Sequence, residues 1–521
     1  MALAGRRWPV AADLLCAVAL GALHSLAFVH PAGWALQMLV VALLAWRVRS
    51  ARPWRAAGLG LLFGAAWFGC GTWWLYISMH DYGGLPAWLT VLAITLLSAF
   101  LALYLAAAFA VFARWRSDRG GRDAWLFAAL WLLAEMARGV IFTGFPWVAS
   151  GYAHVDGPLA AFAPWVGVYG IGFISAALAA WPVFIVMKHR NGRSRAAPVA
   201  VLAGVLGLAA IVGPGAFTRP GSTLAVTLLQ GNVAQDEKFA TALMPKALAW
   251  TRAQLLAANA DLVVAPETVI PLLPSQLDPG YWDELVAHFR QPGRAALLGL
   301  PLGDELHGYT NSAAGLSAGT AAEPLGFYRY DKHHLVPFGE FIPFGFHWFT
   351  ELMNIPLGDF NRGPLSAPSF SVKGERIAAN ICYEDLFGED LAARFVPADT
   401  APTIFANISN IGWFGDTIAV HQHLQISRLR TLEFQRPMLR ATNTGATVSI
   451  DYQGRITHRL APYTQGVLQG TVQGRTGITP FAWWAARFGL WPLLLLAAGT
   501  VFVVRAGRAA GAARERRGLA S

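Results

Sequence analysis

Charge is scarce in this chain. Only 13% of its 521 residues are Asp, Glu, Lys or Arg, against 55% hydrophobic ones. A soluble domain carries about a quarter charged residues, so composition excludes a wholly aqueous protein and points to membrane spans. Cysteine is scarcer still, with three in all. Cys16 and Cys70 lie in apolar segments and are expected as small core residues. Cys382 stands alone in the polar middle of the chain, which excludes a disulfide there. Leu14-Leu15-Cys16 is a poor lipobox, because Leu15 is bulky at the cleavage position and Asp13 precedes it. Phosphate-loop and dinucleotide fingerprints are missing, and no cofactor or metal is expected.

What the chain has is long apolar segments. Seven are expected as spans before the polar middle: about Val10 to Val29, a second ending at Trp46, Ala56 to Ile77, a fourth ending near Ala113, Trp125 to Ala137, Leu159 to Met187, and Pro198 to Val212. An eighth covers about Trp484 to Val504. The net charge of +10 does not indicate nucleic acid, because the basic residues sit between these segments. Arg47 to Arg55, Arg114 to Arg122 and Lys188 to Arg195 are basic loops, while Ser78 to Pro86 and Gly139 to Gly157 hold no Lys or Arg. The alternation puts the basic loops and both termini in the cytoplasm, and the polar middle on the opposite face. Three domains result: residues 1–218 with seven helices, 219–480 as a globular domain, and 481–521 as a last helix and basic tail. Gly60 and Gly64 form a small-xxx-small helix-packing pattern. Glu135 and Arg138 share one helix face at a span end, either as an ion pair or as functional groups.

The middle alternates short apolar runs with helical stretches, which argues for an α/β layered domain. Strands are expected over Leu224 to Leu229, Asp261 to Val264, Ala295 to Leu300, Asn311 to Leu316, Leu325 to Tyr330, Arg376 to Ile381, Thr403 to Ala406 and Thr447 to Ile450. Helices are expected over Leu243 to Ala258, Tyr281 to Phe289, Leu386 to Phe395 and Val420 to Gln435. Three strands end in a reactive side chain: Glu267, Lys332 and Cys382. Each alone is bland; together they suggest one site. A helix start after Cys382 would lower the thiol pKa and hold an oxyanion with the Tyr383 N–H. Glu267, facing a partly dry site, is expected as a base of raised pKa. Lys332 supplies fixed positive charge, with Glu340 and Glu384 holding it and an incoming amine.

Several decoys are set aside. Gly315-Leu316-Ser317-Ala318-Gly319 matches a serine-hydrolase elbow, but a turn rather than a helix is expected after Ser317. His421 and His423 are two apart on an expected helix, which is poor spacing for a metal pair. His333 and His334 are expected to structure the loop beside Lys332.

The order Glu267, Lys332, Cys382 resembles the triad of the nitrilase, or carbon–nitrogen hydrolase, superfamily. The text around it is similar to the bacterial apolipoprotein N-acyltransferase family: Ala265-Pro266-Glu267-Thr268, the run from Lys332 to Pro343, and Ile381-Cys382-Tyr383-Glu384. Gln230-Gly231-Asn232 and Phe142-Thr143-Gly144-Phe145-Pro146-Trp147 add to the likeness, which covers nearly the whole chain. The resemblance implies a polytopic α-helical bundle of eight spans with a four-layer αββα domain, periplasmic, on the bacterial inner membrane. It implies transfer of an acyl chain from a phospholipid, typically phosphatidylethanolamine, to the α-amino group of a lipoprotein's diacylglyceryl-cysteine. Cys382 would form the thioester, Glu267 would shuttle the proton and Lys332 would steady the oxyanion. Glu340, Tyr383 and Glu384 match further functional positions. Phe239 stands where the family commonly carries Trp, and Trp413 with Phe414 is expected as a lid or lipid contact.

Two other classes compete. A membrane-tethered amidase or nitrilase would need a polar pocket open to water, against the aromatic content near Lys332. A transporter or receptor would need polar residues along several spans, and few are present.

Overall fold

The computed structural model describes residues 10–117, 120–186, 204, 205, 207–209, 211, 217–238, 242–346 and 359–518. Two compact units emerge. One comprises Met1–Trp73, Val91–Pro214 and Leu490–Ser521; the other comprises Trp74–Thr90 and Gly215–Gly489.

The first unit is helical. Its elements include α1 (Val10–Ser25), α2 (Gly33–Val48), α3 (Pro53–Gly71), most of α4 (Ala87–Trp115), α5 (Gly120–Val140), α6 (Ala163–Val186) and a C-terminal helix, Trp491–Gly518. They lack a sharply amphipathic pattern because apolar residues surround them, as in helices that meet lipid on one side and protein on the other. The Gly60 and Gly64 pattern has a packing use: a Cβ on Gly60 would lie 2.9 Å from the Leu105 oxygen, and one on Gly64 2.8 Å from Ala102. The two glycines therefore let α3 approach α4 closely.

Among the described residues four helices are long and apolar enough to cross a membrane: Ala11–Phe28, Ala87–Trp115, Gly120–Thr143 and Pro158–Ile185. A bent pair, Pro480–Phe488 with Trp491–Gly507, makes five if it counts as one. The second expected span is the shorter α2, of 16 residues. The third stops at Gly71, not Ile77, because Trp74–Thr90 joins the other unit. Most of the seventh, Pro198 to Val212, lies outside the described residues. Cys16 is half-buried and Cys70 is exposed, so neither is the core residue expected.

The second unit is an αββα sandwich. In chain order it runs β1 (Thr218–Gln230), α7 (Met244–Ala257), β2 (Leu262–Val264), α8 (Tyr281–Phe289), β3 (Ala295–Asp304), β4 (Gly308–Ser317) and β5 (Tyr328–Asp331). Then follow β6 (Phe370–Val372), β7 (Glu375–Ile381), α9 (Gly388–Ala392), β8 (Ile404–Ser409), α10 (Ile418–Phe434), β9 (Met438–Thr442), β10 (Val448–Ile450), β11 (Ile456–Arg459) and β12 (Gly466–Gly477). One sheet has the order β12-β1-β2-β3-β4-β5, the other β11-β10-β9-β8-β7-β6. The central strands β1-β2-β3 and β7-β8-β9 pair in parallel. They are covered on both faces, which is why they read as unbroken apolar runs.

Alternation along each strand divides the core in two. Leu262, Val264, Leu297, Ile377, Ile381, Ile404 and Ile408 pack between the sheets. Val263, Ala296, Leu298 and Leu300 point the other way, against Leu255 of α7 and Leu285 and Phe289 of α8. On the far side Phe405 of β8 meets Phe434 of α10. Each such fully buried Val, Leu, Ile or Phe side chain contributes roughly 1.5–3 kcal/mol.

Candidate active site

The ends of β2, β5 and β7 converge. After Val264 the chain turns at Glu267, and the next residue, Thr268, holds a φ of 49°. After β5 comes Lys332, whose N–H bonds the Asn311 carbonyl at 2.9 Å. After β7 comes Cys382, in the left-handed region at φ 52°. A non-glycine residue there is strained, a state that persists only where surroundings impose it.

The surroundings are hydrogen bonds. The carbonyl of Cys382 accepts from Asn407 Nδ2 at 3.2 Å and meets His423 Nε2 at 3.2 Å. Glu384 holds the turn on its other side. Its Oε2 accepts from the Ile381 N–H and the Tyr330 hydroxyl, both at 2.7 Å, and its Oε1 from the N–H groups of His333 and His334. The expected helix from Leu386 to Phe395 is a 3-10 turn at Cys382–Leu386, the five-residue α9, and a second 3-10 turn at Ala393–Phe395.

Lys332 is buried between two carboxylates, with Nζ 3.4 Å from Glu267 Oε1 and 2.8 Å from Glu340 Oε1. Asn311 Nδ2 donates to the same two oxygens, at 2.8 and 2.6 Å. Glu267 Oε2 accepts the Asn410 N–H at 2.8 Å. Glu340 Oε2 takes the Val336 N–H at 2.8 Å. Glu340 thus holds Lys332 as expected, whereas Glu384 grips the backbone beside it and does not hold the ammonium.

The protonation states reverse two expectations. Burial alone would raise Glu267, but Lys332, Asn311, Lys238 and the Asn410 N–H hold it below the usual carboxylate range. Burial pushes the Cys382 thiol up to about 12, with the Glu267 charge adding to it and Lys332 and Ser409 opposing. The local helix start was expected to lower the thiol; a 3-10 turn of five residues offers little dipole, and burial beside an anion outweighs it. Burial opposes the charge on Lys332, yet Glu340 and Glu267 raise it well above the ordinary lysine value. The resting site is therefore a neutral thiol beside a charged carboxylate and a charged lysine.

The other expected residues fall as follows. Tyr383 is buried, its ring 5.2 Å from Phe387 and 5.8 Å from His334. His334 stacks on Phe387 at 3.4 Å, and His333 Nδ1 lies 2.7 Å from the Gly363 carbonyl, so both histidines structure the lysine loop. Trp413 is half-buried and meets the Tyr82 ring edge-on at 5.8 Å. Beside it Phe414 packs on Trp74 at 4.2 Å, and the Trp74 indole N–H donates to Gln422 at 3.0 Å. The segment Trp74–Thr90, between two helices of the other unit in sequence, thus braces the Ile411–Phe414 turn. Phe239 lies outside the described residues. Ser317 ends β4 and caps a 3-10 turn, as expected of a turn residue.

Sequence reasoning missed three groups. Lys238 is buried with Nζ 3.1 Å from the Glu267 carbonyl. Asn311 and Asn410 hold the Glu267 carboxylate. Behind Cys382 lies a buried network: Asp385 meets His423 at 2.9 Å and Ser427 at 2.5 Å, and Arg440 reaches Ser427 at 2.6 Å, His423 Nδ1 at 2.7 Å and Asn407 at 3.2 Å. Arginine only donates, so His423 Nδ1 is the acceptor and Nε2 carries the proton toward Asp385 and the Cys382 carbonyl. The signal was Arg440, a charged residue inside an apolar strand.

Comparison with known proteins is consistent across the chain. Residues 20–181 match the apolipoprotein N-acyltransferase N-terminal domain, and residues 225–480 match the carbon-nitrogen hydrolase family. An apolipoprotein N-acyltransferase of Verminephrobacter eiseniae is 53% identical over 482 residues, 88% of this chain and 89% of that one. One from Ralstonia nicotianae is 47% identical over 489 residues, 92% of each. One from Bordetella bronchiseptica is 43% identical over 550 residues, 97% of this chain and 98% of that one.

Proposed function

The chain belongs to the apolipoprotein N-acyltransferase family, and on that footing we propose that its acyl transfer runs through a thioester on Cys382, with Glu267 as the base and Lys332 as the oxyanion charge. It is an acyltransferase of lipoprotein maturation. The observation that carries the residue assignment is the convergence of a strained, neutral cysteine with a charged carboxylate and a charged lysine at three strand ends.

In the first half-reaction Glu267 takes the thiol proton as Sγ attacks the ester carbonyl of a phospholipid, with phosphatidylethanolamine the proposed donor. The Lys332 ammonium and the Tyr383 N–H stabilise the tetrahedral oxyanion. The ester C–O bond breaks, Glu267 returns the proton to the departing lysophospholipid alkoxide, and the thioester remains. In the second half the α-amine of a diacylglyceryl-cysteine attacks that thioester, Glu267 takes the amine proton, and the thiol is regenerated with the amide formed. Splitting one transfer in two lowers each barrier. Glu340 keeps Lys332 aimed, and Glu384 keeps the cysteine turn against the lysine loop. Aromatic residues around the loop, Phe338, Phe341 and Phe346 among them, support exclusion of water, which would otherwise hydrolyse the thioester.

The alternation of basic loops supports eight spans in the bacterial inner membrane, cytoplasmic termini and a periplasmic domain over residues 219–480. Cysteine labelling from outside spheroplasts checks this: labelled loops at 47–55, 114–122 and 188–195, with an unlabelled middle, would reverse the topology. The chemistry is tested by single-turnover acylation with phospholipid, followed by a diacylglyceryl lipopeptide. A mass increase on Cys382 that the lipopeptide discharges is expected. Release of free fatty acid without transfer to the lipopeptide would favour a hydrolase and overturn the reading.

A further inference from the structure

A second buried lysine beside the triad has no part in the steps above. Lys238 lies in the turn after β1, 6% exposed, and its Nζ donates to the backbone oxygen of Glu267 at 3.1 Å. An ammonium is seldom buried unless a charge nearby repays its lost hydration. The charges that reach it are Glu267 and, once ionised, the Cys382 thiolate, with Asp236 and Glu237 adjacent on its own turn. Across the site Glu267 faces Lys332, and Lys332 faces Glu340. The turn has anchors of its own: the Val233 N–H donates to Asn443 at 3.1 Å, and Gln235 accepts from Asn410 at 2.8 Å.

Charge balance shows what the ammonium does. Among the groups whose fields reach the thiol, Glu267 and Glu340 are negative, and Lys332 and Lys238 are positive. Arg440 is also within reach, but Asp385 matches it at 3.4 Å. When Cys382 gives its proton to Glu267, one negative charge moves from carboxylate to sulfur and the balance holds. With Lys238 neutral, a site shielded from water would carry one uncompensated negative charge in both states, and the thiolate and Glu340 would share Lys332 alone.

We propose that Lys238 is a positioning residue for acyl transfer: its ammonium holds the Glu267 turn and supplies the second positive charge under which Cys382 yields its proton. The proposal rests on the assignment of Cys382 and Glu267 made above. Burial pushes Lys238 down to about 8, against the pull of Glu267 and Cys382, so its charge is lost on the alkaline side of neutrality.

The test uses the full-length protein in phospholipid nanodiscs. First-turnover acylation from a fluorescent-acyl phosphatidylethanolamine is followed from weakly acidic to alkaline pH for wild type, Lys238→Met, Lys238→Arg and Cys382→Ala. The charge of Lys238 favours the thiolate and also the carboxylate that takes its proton, so only the difference counts and Lys238→Met should acylate roughly 10-fold more slowly. Lys238→Arg should recover part of that rate and move the alkaline limb upward, because a guanidinium does not titrate there. Wild-type acylation by Lys238→Met overturns the proposal. So does an equal loss in both variants with the wild-type pH profile, which is the mark of shape alone. If Lys238→Met does not fold, the alkaline limb of Lys238→Arg decides: an upward shift supports the proposal and an unmoved limb overturns it. Acyl label on Cys382→Ala would instead sink the nucleophile assignment and the proposal with it, an outcome set apart because the thiol is missing.

Discussion

Glu384 accepts the backbone N–H of His333 at 2.7 Å, across 51 positions of chain. One carboxylate thereby ties the cysteine turn to the lysine loop. Its four donors leave it no spare acceptor site. In Glu384→Gln the new amide N–H groups would face donors. An unsatisfied buried group costs about 1–3 kcal/mol. The thermal midpoint should fall and first-turnover acylation should slow with it. An unchanged midpoint in differential scanning would remove Glu384 from this role.

The triad should divide its labour cleanly. Cys382→Ala should abolish the acyl-enzyme, since a methyl group cannot attack an ester. Cys382→Ser should be nearly inactive, because a hydroxyl is a poorer nucleophile and harder to deprotonate. Glu267→Gln should slow both half-reactions by about 100- to 10,000-fold. Lys332→Met should lose a comparable factor through the oxyanion. Intact-mass analysis after phospholipid addition reads all four; a covalent acyl group on Cys382→Ala would place the nucleophile elsewhere.

The base must be ionised to work, so acylation should fall with acid only below the usual carboxylate range, where Glu267 is held. Asn311→Ala removes a donor to that carboxylate at 2.8 Å. Losing a bond to the charged form raises the pKa. A hydrogen bond to a charged group is worth about 1.5–3 kcal/mol, so the acid limb should move up by about one to two pH units. A limb that stays in place would show that Asn311 does not tune the base.

Asp385 is fully buried, and burial alone would raise it, but His423 and Arg440 hold it below its ordinary value. A depressed folded pKa contributes stability above the unfolded value, and that stability is lost as pH falls through the folded one. Breaking such a buried pair costs about 3–5 kcal/mol. Asp385→Asn should therefore lower the melting temperature most near neutral pH and flatten its acid dependence. Parallel melting curves for wild type and variant at all pH values would refute this.

Arg138 Nη1 donates to the Trp147 carbonyl at 2.9 Å and also to that of Phe145, and Glu135 accepts the Ser150 N–H at 2.7 Å. Both side chains hold the segment after α5. Replacing both with Gln should lower folded yield more than turnover per folded molecule. Normal yield and melting with lost turnover would instead place them in a substrate path.

The sequence by itself determined an apolar helical region followed by a layered α/β domain. Short apolar runs set between helical stretches predicted β1, β3, β4, β7 and β8, and helical spacing predicted α8 to its ends, because burial on both faces leaves a continuous apolar run and burial on one face a period. β12 escaped since its glycines break the alternation, and β6 since three edge residues carry no period. The order Glu267, Lys332, Cys382 was readable because each follows a strand end, a local signal. What holds those groups was not. Asn311, Asn410 and Lys238 lie next to Glu267 only once separate strands and turns are folded together. Charge was the last thing the tertiary structure decided. A helix start argued for an acidic thiol and a dry site for a raised carboxylate. Folding instead placed two cations and two amide donors on Glu267, and that carboxylate beside the buried sulfur. A pKa depends on every charge and donor within a few ångströms, and those neighbours come from every part of the domain.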